Sequence, residues 1–149
     1  MDQHPRARFG LQFALLARRW RRTLDARLAE AGLSDATWAP LVHLHQSGDG
    51  ISQKTLAALV GLDASSLVRL IDILVARGLV ERRTDVADRR ARLIHLTDAG
   101  RAAVAEILRL LVGREAEMLA DVSDAELVQV MDVFDRIGRR LPQLGEDRS

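Results

Sequence analysis

The chemistry-bearing feature of this chain is its arginines and where they fall. In VADRRARLIHLTDAG, residues 86–100, Arg89 and Arg90 stand side by side behind Asp88, and residues 82–92 hold five arginines (82, 83, 89, 90, 92) against two aspartates. A solvated turn needs no such concentration, whereas a guanidinium fork matches the geometry of phosphate oxygens and of a guanine edge. The opposite sign gathers elsewhere: Glu115, Glu117, Asp121, Asp124, Glu126, Asp132 and Asp135 occupy a stretch, 115–135, without a single Lys or Arg. The formal net charge of +1 hides this segregation. One end of the molecule is suited to a polyanion and the other is not.

Other chemistries are poorly served. With no cysteine there is no disulfide, thiolate nucleophile or cysteine metal site. His43 and His45 are two apart on an expected helix, so they point to different sides and do not chelate one ion. No glycine-rich phosphate loop, G-x-S-x-G elbow or paired carboxylates emerge, and neither catalysis, a metal nor a cofactor is expected. The length of 149 residues, 48% of them hydrophobic and 29% charged, suits one globular domain over 1–149. No apolar run approaches the ~18 residues of a membrane span, and MDQHPRARFG lacks the order of a signal peptide, so a cytoplasmic location without membrane contact is expected.

The elements that must position the arginines follow from periodicity. Phe13, Ala17, Trp20, Leu24 and Leu28 share one stripe of a first helix, about 8–31, ended by Gly32. Ser34 is expected to cap a second helix reaching about His45, and HQSGDGIS breaks it. Ser52 caps a short third helix, QKTLAALV, closed by Gly61; Asp63 caps a fourth, about 64–77, stopped by Gly78. LVERRT and RARLIHL read as two strands around the polar tip DVADRR. Thr97 opens a long helix to about 120, and Ser123 with Glu126 forms a capping box for the last one.

Two short helices joined by a three-residue turn, followed by a basic hairpin, make a winged helix-turn-helix. The predicted fold is mainly α with a small β wing and a separate helical layer. In the fourth helix Leu67, Leu70, Ile71 and Leu74 share the scaffold side, while Ala64, Ser65, Ser66, Val68 and Arg69 are the set expected to meet DNA. Small residues permit close approach to a major groove, and Arg69 can reach guanine O6 and N7 together. Gln53, Lys54 and Thr55 at the start of the third helix suit phosphates, as do Arg82, Arg83 and Arg92. Arg89 and Arg90 at the tip suit a narrow minor groove, with Asp88 expected to hold one of them in direction by a charge-assisted hydrogen bond. A winged helix serving only protein interaction or oligomerisation is the alternative reading.

These motifs resemble the MarR family of bacterial transcription regulators. DRRARLIHLTDAG matches the family's D-x-R followed by L-T-x-x-G, carried by Asp88, Arg90, Leu96, Thr97 and Gly100. RRWRRTLDARL, TWAPLVHLHQ and SSLVRLIDILVARGLVERRT extend the likeness over nearly the whole chain, toward the SlyA/RovA branch. The resemblance implies a homodimer reading a palindrome in double-stranded DNA, with 8–31 and 98–141 as the dimerisation part and 34–97 as the winged part. The apolar stripes of the first and last two helices give that dimer a physical case, being longer than a small winged core can cover. The resemblance also implies a small aromatic carboxylate effector, contacted by Arg18, Arg21 and Trp38, although Val42 and Leu70 replace polar groups of those relatives. Plain core packing of Trp20 and Trp38 is the competing reading, and the sequence favours it.

Overall fold

The structure, a computed structural model, describes residues 4–33, 36–48 and 50–143. In chain order it contains α1 (Pro5–Glu30), α2 (Trp38–Gln46), β1 (Ile51–Ser52), α3 (Gln53–Val60), α4 (Ala64–Ala76), β2 (Val80–Thr84), β3 (Arg92–Leu96), α5 (Asp98–Met118) and α6 (Asp124–Gly138). The mainly helical, winged architecture expected from the sequence is the one observed.

Local chemistry sets most boundaries. Pro5 occupies the first turn of α1, where its missing N–H costs nothing, so the helix starts three residues before the expected 8. The N-cap of α2 is Thr37, without a side-chain capping bond; the expected cap, Ser34, lies outside the described residues. Ser52 Oγ accepts from Thr55 N at 3.1 Å, and Gly61 closes α3 at φ +79°, a left-handed conformation that glycine adopts without steric cost. The capping box of Ser123 and Glu126 is complete.

The sheet differs from the two-stranded expectation. It has three antiparallel strands in the order β1-β3-β2, because Ile51 and Ser52 pair with Ile94 and Leu93. Two residues lying between glycines and a helix cap carry no strand periodicity, so nothing local announces them. On the other side of β3, Val80 faces Leu96 and Arg82 faces Ile94.

The core gathers Leu28 from α1, Leu44 from α2, Leu56 from α3, Leu67, Ile71 and Leu74 from α4, Ile94 from β3 and Val104 from α5. It binds the winged part to the inner halves of α1 and α5. The outer parts behave differently: Phe9, Leu11, Phe13, Leu15 and Leu16 of α1 and Val128, Met131 and Phe134 of α6 are exposed, and α6 buries none of its residues. Phe13 meets Phe134 edge to face with centroids 5.5 Å apart, holding α6 against α1.

Candidate nucleic-acid interface

The interface is built on α4. Its N-terminus is fixed by Asp63, whose Oδ1 accepts from Ser66 N at 2.7 Å and from Ser65 Oγ at 2.7 Å, while Oδ2 accepts from Ser66 Oγ at 2.9 Å. The backbone bond from Ser66, then the two serine hydroxyls, hold the Asp63 carboxyl down to about 2. Leu67, Ile71 and Leu74 bury the inner side, and Leu70 is half-buried. Ala64, Ser65, Val68 and Arg69 are exposed on the outer side, with Ser66 half-buried between the two.

The wing divides its arginines into two groups. Arg82 Nη2 donates to Asp72 Oδ1 of α4 at 2.6 Å, and Arg82 Nε donates to Gln53 Oε1 of α3 at 3.0 Å. Arg83 is paired with Glu81 on the same strand. The guanidinium groups of Arg69, Arg89, Arg90 and Arg92, by contrast, make no hydrogen bond or ion pair among the described residues, and all four side chains are exposed. Arg82, expected on phosphates, thus acts as a brace between the wing and both helices. The cause is register: Val80, Arg82 and Thr84 share one face of β2, and Val80 on that face is buried against the core side. That alternation was readable in VERRT and distinguishes Arg82 from Arg83. The partner of Arg82, Asp72, stands exposed on α4.

Asp88 also acts differently from expectation. Its Oδ1 accepts from the backbone N of Arg90 at 3.0 Å, and its carbonyl accepts from Ala91 N at 3.0 Å. Asp85 repeats the device, with Oδ1 accepting from Ala87 N at 2.9 Å. These are Asx turns, in which a short carboxylate reaches the amide two residues on. Asp88 therefore shapes the backbone that carries Arg89 and Arg90 and leaves their guanidinium groups alone.

At the start of α3, Lys54 is exposed, and Gln53 and Thr55 are half-buried. Since Gln53 uses its carbonyl oxygen for Arg82, its amide NH2 remains as the donor side. Thr97 connects the wing to α5: its Oγ1 donates to Gly78 O at 2.6 Å and accepts from Gly100 N at 3.0 Å.

Of the residues expected around an effector, Arg21 and Trp38 come together. Arg21 stacks over the Trp38 ring at 4.4 Å, but Asp25 Oδ1 accepts from both Trp38 Nε1 (2.8 Å) and Arg21 Nε (3.4 Å). Trp38 is 7% exposed, so this trio is internally satisfied. Arg18 is exposed and outside it. A cavity of about 360 Å³ is lined by Trp38, Thr37, Arg77, Leu79, Glu106 and Ile107 among others, with Arg77 as its cation and Glu106 as its anion. Arg77 is the C-cap of α4, a position in which the sequence offered no reason to see a cavity residue. Among the described residues no group of three or more His, Asp or Glu could hold a metal, and no helix is long and apolar enough to cross a membrane.

A three-helix unit with a braced, arginine-tipped wing and a long helical layer defines a winged helix-turn-helix transcription regulator. Residues 31–91 match the MarR family profile. The chain is 36% identical to the transcriptional regulator PA3341, covering 89% of this chain and 96% of that one with a TM-score of 0.79. It is 26% identical to a MarR-family transcriptional regulator from Rhodococcus sp. RHA1 (91% and 96% covered, TM-score 0.76). It is 25% identical to CouR from Rhodococcus jostii RHA1, solved bound to p-coumaroyl-CoA (91% and 95%, TM-score 0.73). The chain belongs to the MarR family, whose members are transcription regulators and not enzymes.

Proposed function

We propose that this regulator acts in the cytoplasm as a homodimer on pseudo-palindromic promoter sites, as a SlyA/RovA-like member of its family. In each subunit α4 enters a major groove with Ala64, Ser65, Val68 and Arg69, the last on a guanine edge. Arg89 and Arg90 enter the adjacent minor groove, where a narrow A·T-rich stretch concentrates negative potential. Lys54, Thr55, the Gln53 amide and Arg92 bind phosphates and set the register. Ser66 and Asp88 shape the two contact elements, and Arg82 fixes their spacing.

The observation that carries this reading is the sorting of arginines. Arg82 and the exposed Arg83 are neutralised by Asp72 and Glu81, while the exposed Arg69, Arg89, Arg90 and Arg92 carry charge with no ion pair among the described residues. Several unpaired guanidinium groups gathered on a shaped hairpin suit a polyanion such as the phosphate backbone. The bare apolar faces of α1 and α6 support the dimer, since patches of that kind mark association.

An effector reading accompanies it. A small aromatic carboxylate would take the cavity beside Trp38, with Arg77 among its lining, or the Arg18 and Arg21 side of the same indole. CouR, which takes p-coumaroyl-CoA, shows that a similar chain accommodates an aromatic acyl group.

The test is a salt titration of duplex binding by the purified protein, with its mass followed by sedimentation. A dimer whose affinity falls linearly on a log–log salt plot supports the assignment. A protein indifferent to every duplex in dilute buffer favours the interaction module instead.

A further inference from the structure

The side chain of Ser65 sits on the exposed face of α4, two residues after the helix cap, where a base edge would pass. A serine hydroxyl has one proton to donate and two lone pairs to accept with, and serine in a groove is ordinarily free to do either. Here the choice has been made by the protein. Ser65 Oγ lies 2.7 Å from Asp63 Oδ1, and an ionised carboxylate only accepts, so the hydroxyl proton must point at Asp63. The same is true of Ser66, whose hydroxyl lies 2.9 Å from the other oxygen, Asp63 Oδ2. Both carboxylate oxygens are thus engaged from the helix side, and with its carboxyl held down to about 2 Asp63 is an acceptor for both hydroxyls in neutral solution.

The geometry points to Ser65 as a specificity residue that reads DNA as an acceptor only, selecting a base that presents an exocyclic amino group, adenine N6 or cytosine N4, and rejecting N7, O6 and O4. The inference rests on the assignment of α4 to the major groove and refines it. Three neighbouring side chains then offer three different chemistries: a lone pair at Ser65, an apolar surface at the exposed Val68, and a cationic fork at Arg69. In a major groove these correspond to an amino group, a thymine methyl and a guanine O6/N7 edge. A serine free to donate would blur the first of these, because every purine also offers N7.

The experiment begins with selection of duplexes from a randomised library by the full-length wild type and by Ser65→Ala. The base pair whose preference changes is the one Ser65 reads, and its adenine or cytosine is the base whose amino group is then tested. Duplexes are then made with that amino group removed (purine for adenine, 2-pyrimidinone for cytosine) and, at adenine, with 7-deazaadenine, which lacks only N7. The wild type should lose about tenfold in affinity with the deaminated base and stay within about twofold with the 7-deaza base. Ser65→Ala should ignore both, which separates the hydroxyl from the carboxylate behind it. Asp63→Gly, which keeps a competent helix start, frees the hydroxyl and should relax the preference at that position alone. Circular dichroism confirms that this variant is folded.

Loss of affinity with 7-deazaadenine would overturn the inference, as would full wild-type affinity after removal of the amino group or no change with Ser65→Ala. Failure to recover any duplex at all is a different result, because it removes the major-groove assignment itself.

Discussion

Arg82 Nη2 donates to Asp72 Oδ1 across 2.6 Å, and this bond runs from the wing strand β2 to the outer side of α4. An anion on a surface proposed to face DNA should weaken binding, so its presence there needs a mechanical reason. Arg82 supplies one by reaching Gln53 as well, which ties β2, α3 and α4 together at a single side chain. Asp72→Ala therefore sets two effects against each other: less repulsion of phosphate, and a wing no longer fixed relative to the helix. We expect specific affinity to fall by about tenfold while affinity for random duplex holds or rises. Arg82→Ala should show the same specific loss, and the double variant little more, as residues in one network do not add. Were Arg82 a phosphate contact, Asp72→Ala would strengthen both kinds of binding in a fluorescence anisotropy titration.

Arg90→Ala and Arg69→Ala should each weaken specific binding by about 1–3 kcal/mol, the usual worth of one good contact. Their signatures differ. Arg69→Ala should relax preference at one guanine, whereas Arg90→Ala should lessen the advantage of A·T-rich flanks. Wild-type affinity in both variants, measured on the selected duplex, would contradict the groove assignments.

Gly100 packs its α-carbon against the backbone of Leu79 so closely that an added Cβ would overlap Leu79 O. Alanine ordinarily stabilises a helix relative to glycine by ~1 kcal/mol, but here backbone blocks it and the sign reverses. Gly100→Ala should cost about 3 kcal/mol, since no flexible side chain can move aside. A thermal melt lowered by roughly 10 °C checks this.

His43 is pushed below the usual imidazole value, first by burial and then by the positive charge of Arg21. The unfolded chain therefore binds a proton more readily than the folded one. The stabilising contribution is whole above about pH 6.5, the unfolded value, and is lost as pH falls from there through the lower folded value. Urea midpoints between pH 7.5 and 5 should decline for the wild type and decline less for His43→Gln. Identical slopes would show that His43 titrates alike in both states.

Met131 of α6 is 62% exposed within the apolar face that the chain leaves bare. Met131→Glu should split the proposed dimer, with sedimentation giving half the mass and duplex affinity dropping by well over tenfold as the two lobes lose their linkage. An unchanged mass would place the dimer contact elsewhere.

The helices were legible because capping residues and apolar stripes coincide in them. Ser52, Asp63, Thr97 and Ser123 each begin a helix where the sequence puts them. Among the candidate DNA-binding residues, the outer set of α4 was legible from the same periodicity, since a side chain opposite Leu67 and Leu74 has nowhere else to point. What escaped was pairing across elements. Nothing in VADRR says whether Asp88 takes a guanidinium or an amide, and the short strand β1 exists only because Ile94 is there to receive it. The cavity beside Trp38 was hidden for the same reason: Arg77 and Glu106 stand far apart in the chain and meet only through tertiary packing.

The hydroxyl of Thr97 is a pin between two elements, joining Gly78, just past the C-cap of α4, to the first turn of α5. Its consequence is leverage. A helix of 13 residues is about 20 Å long, so a tilt of roughly 5° at the pinned end sweeps the far end by about 2 Å. A hydrogen bond to a base edge does not survive such a sweep. In the proposed complex, whatever rocks the long helix by a few degrees thus lifts the N-terminal end of α4 away from the bases, with no local change at that end itself.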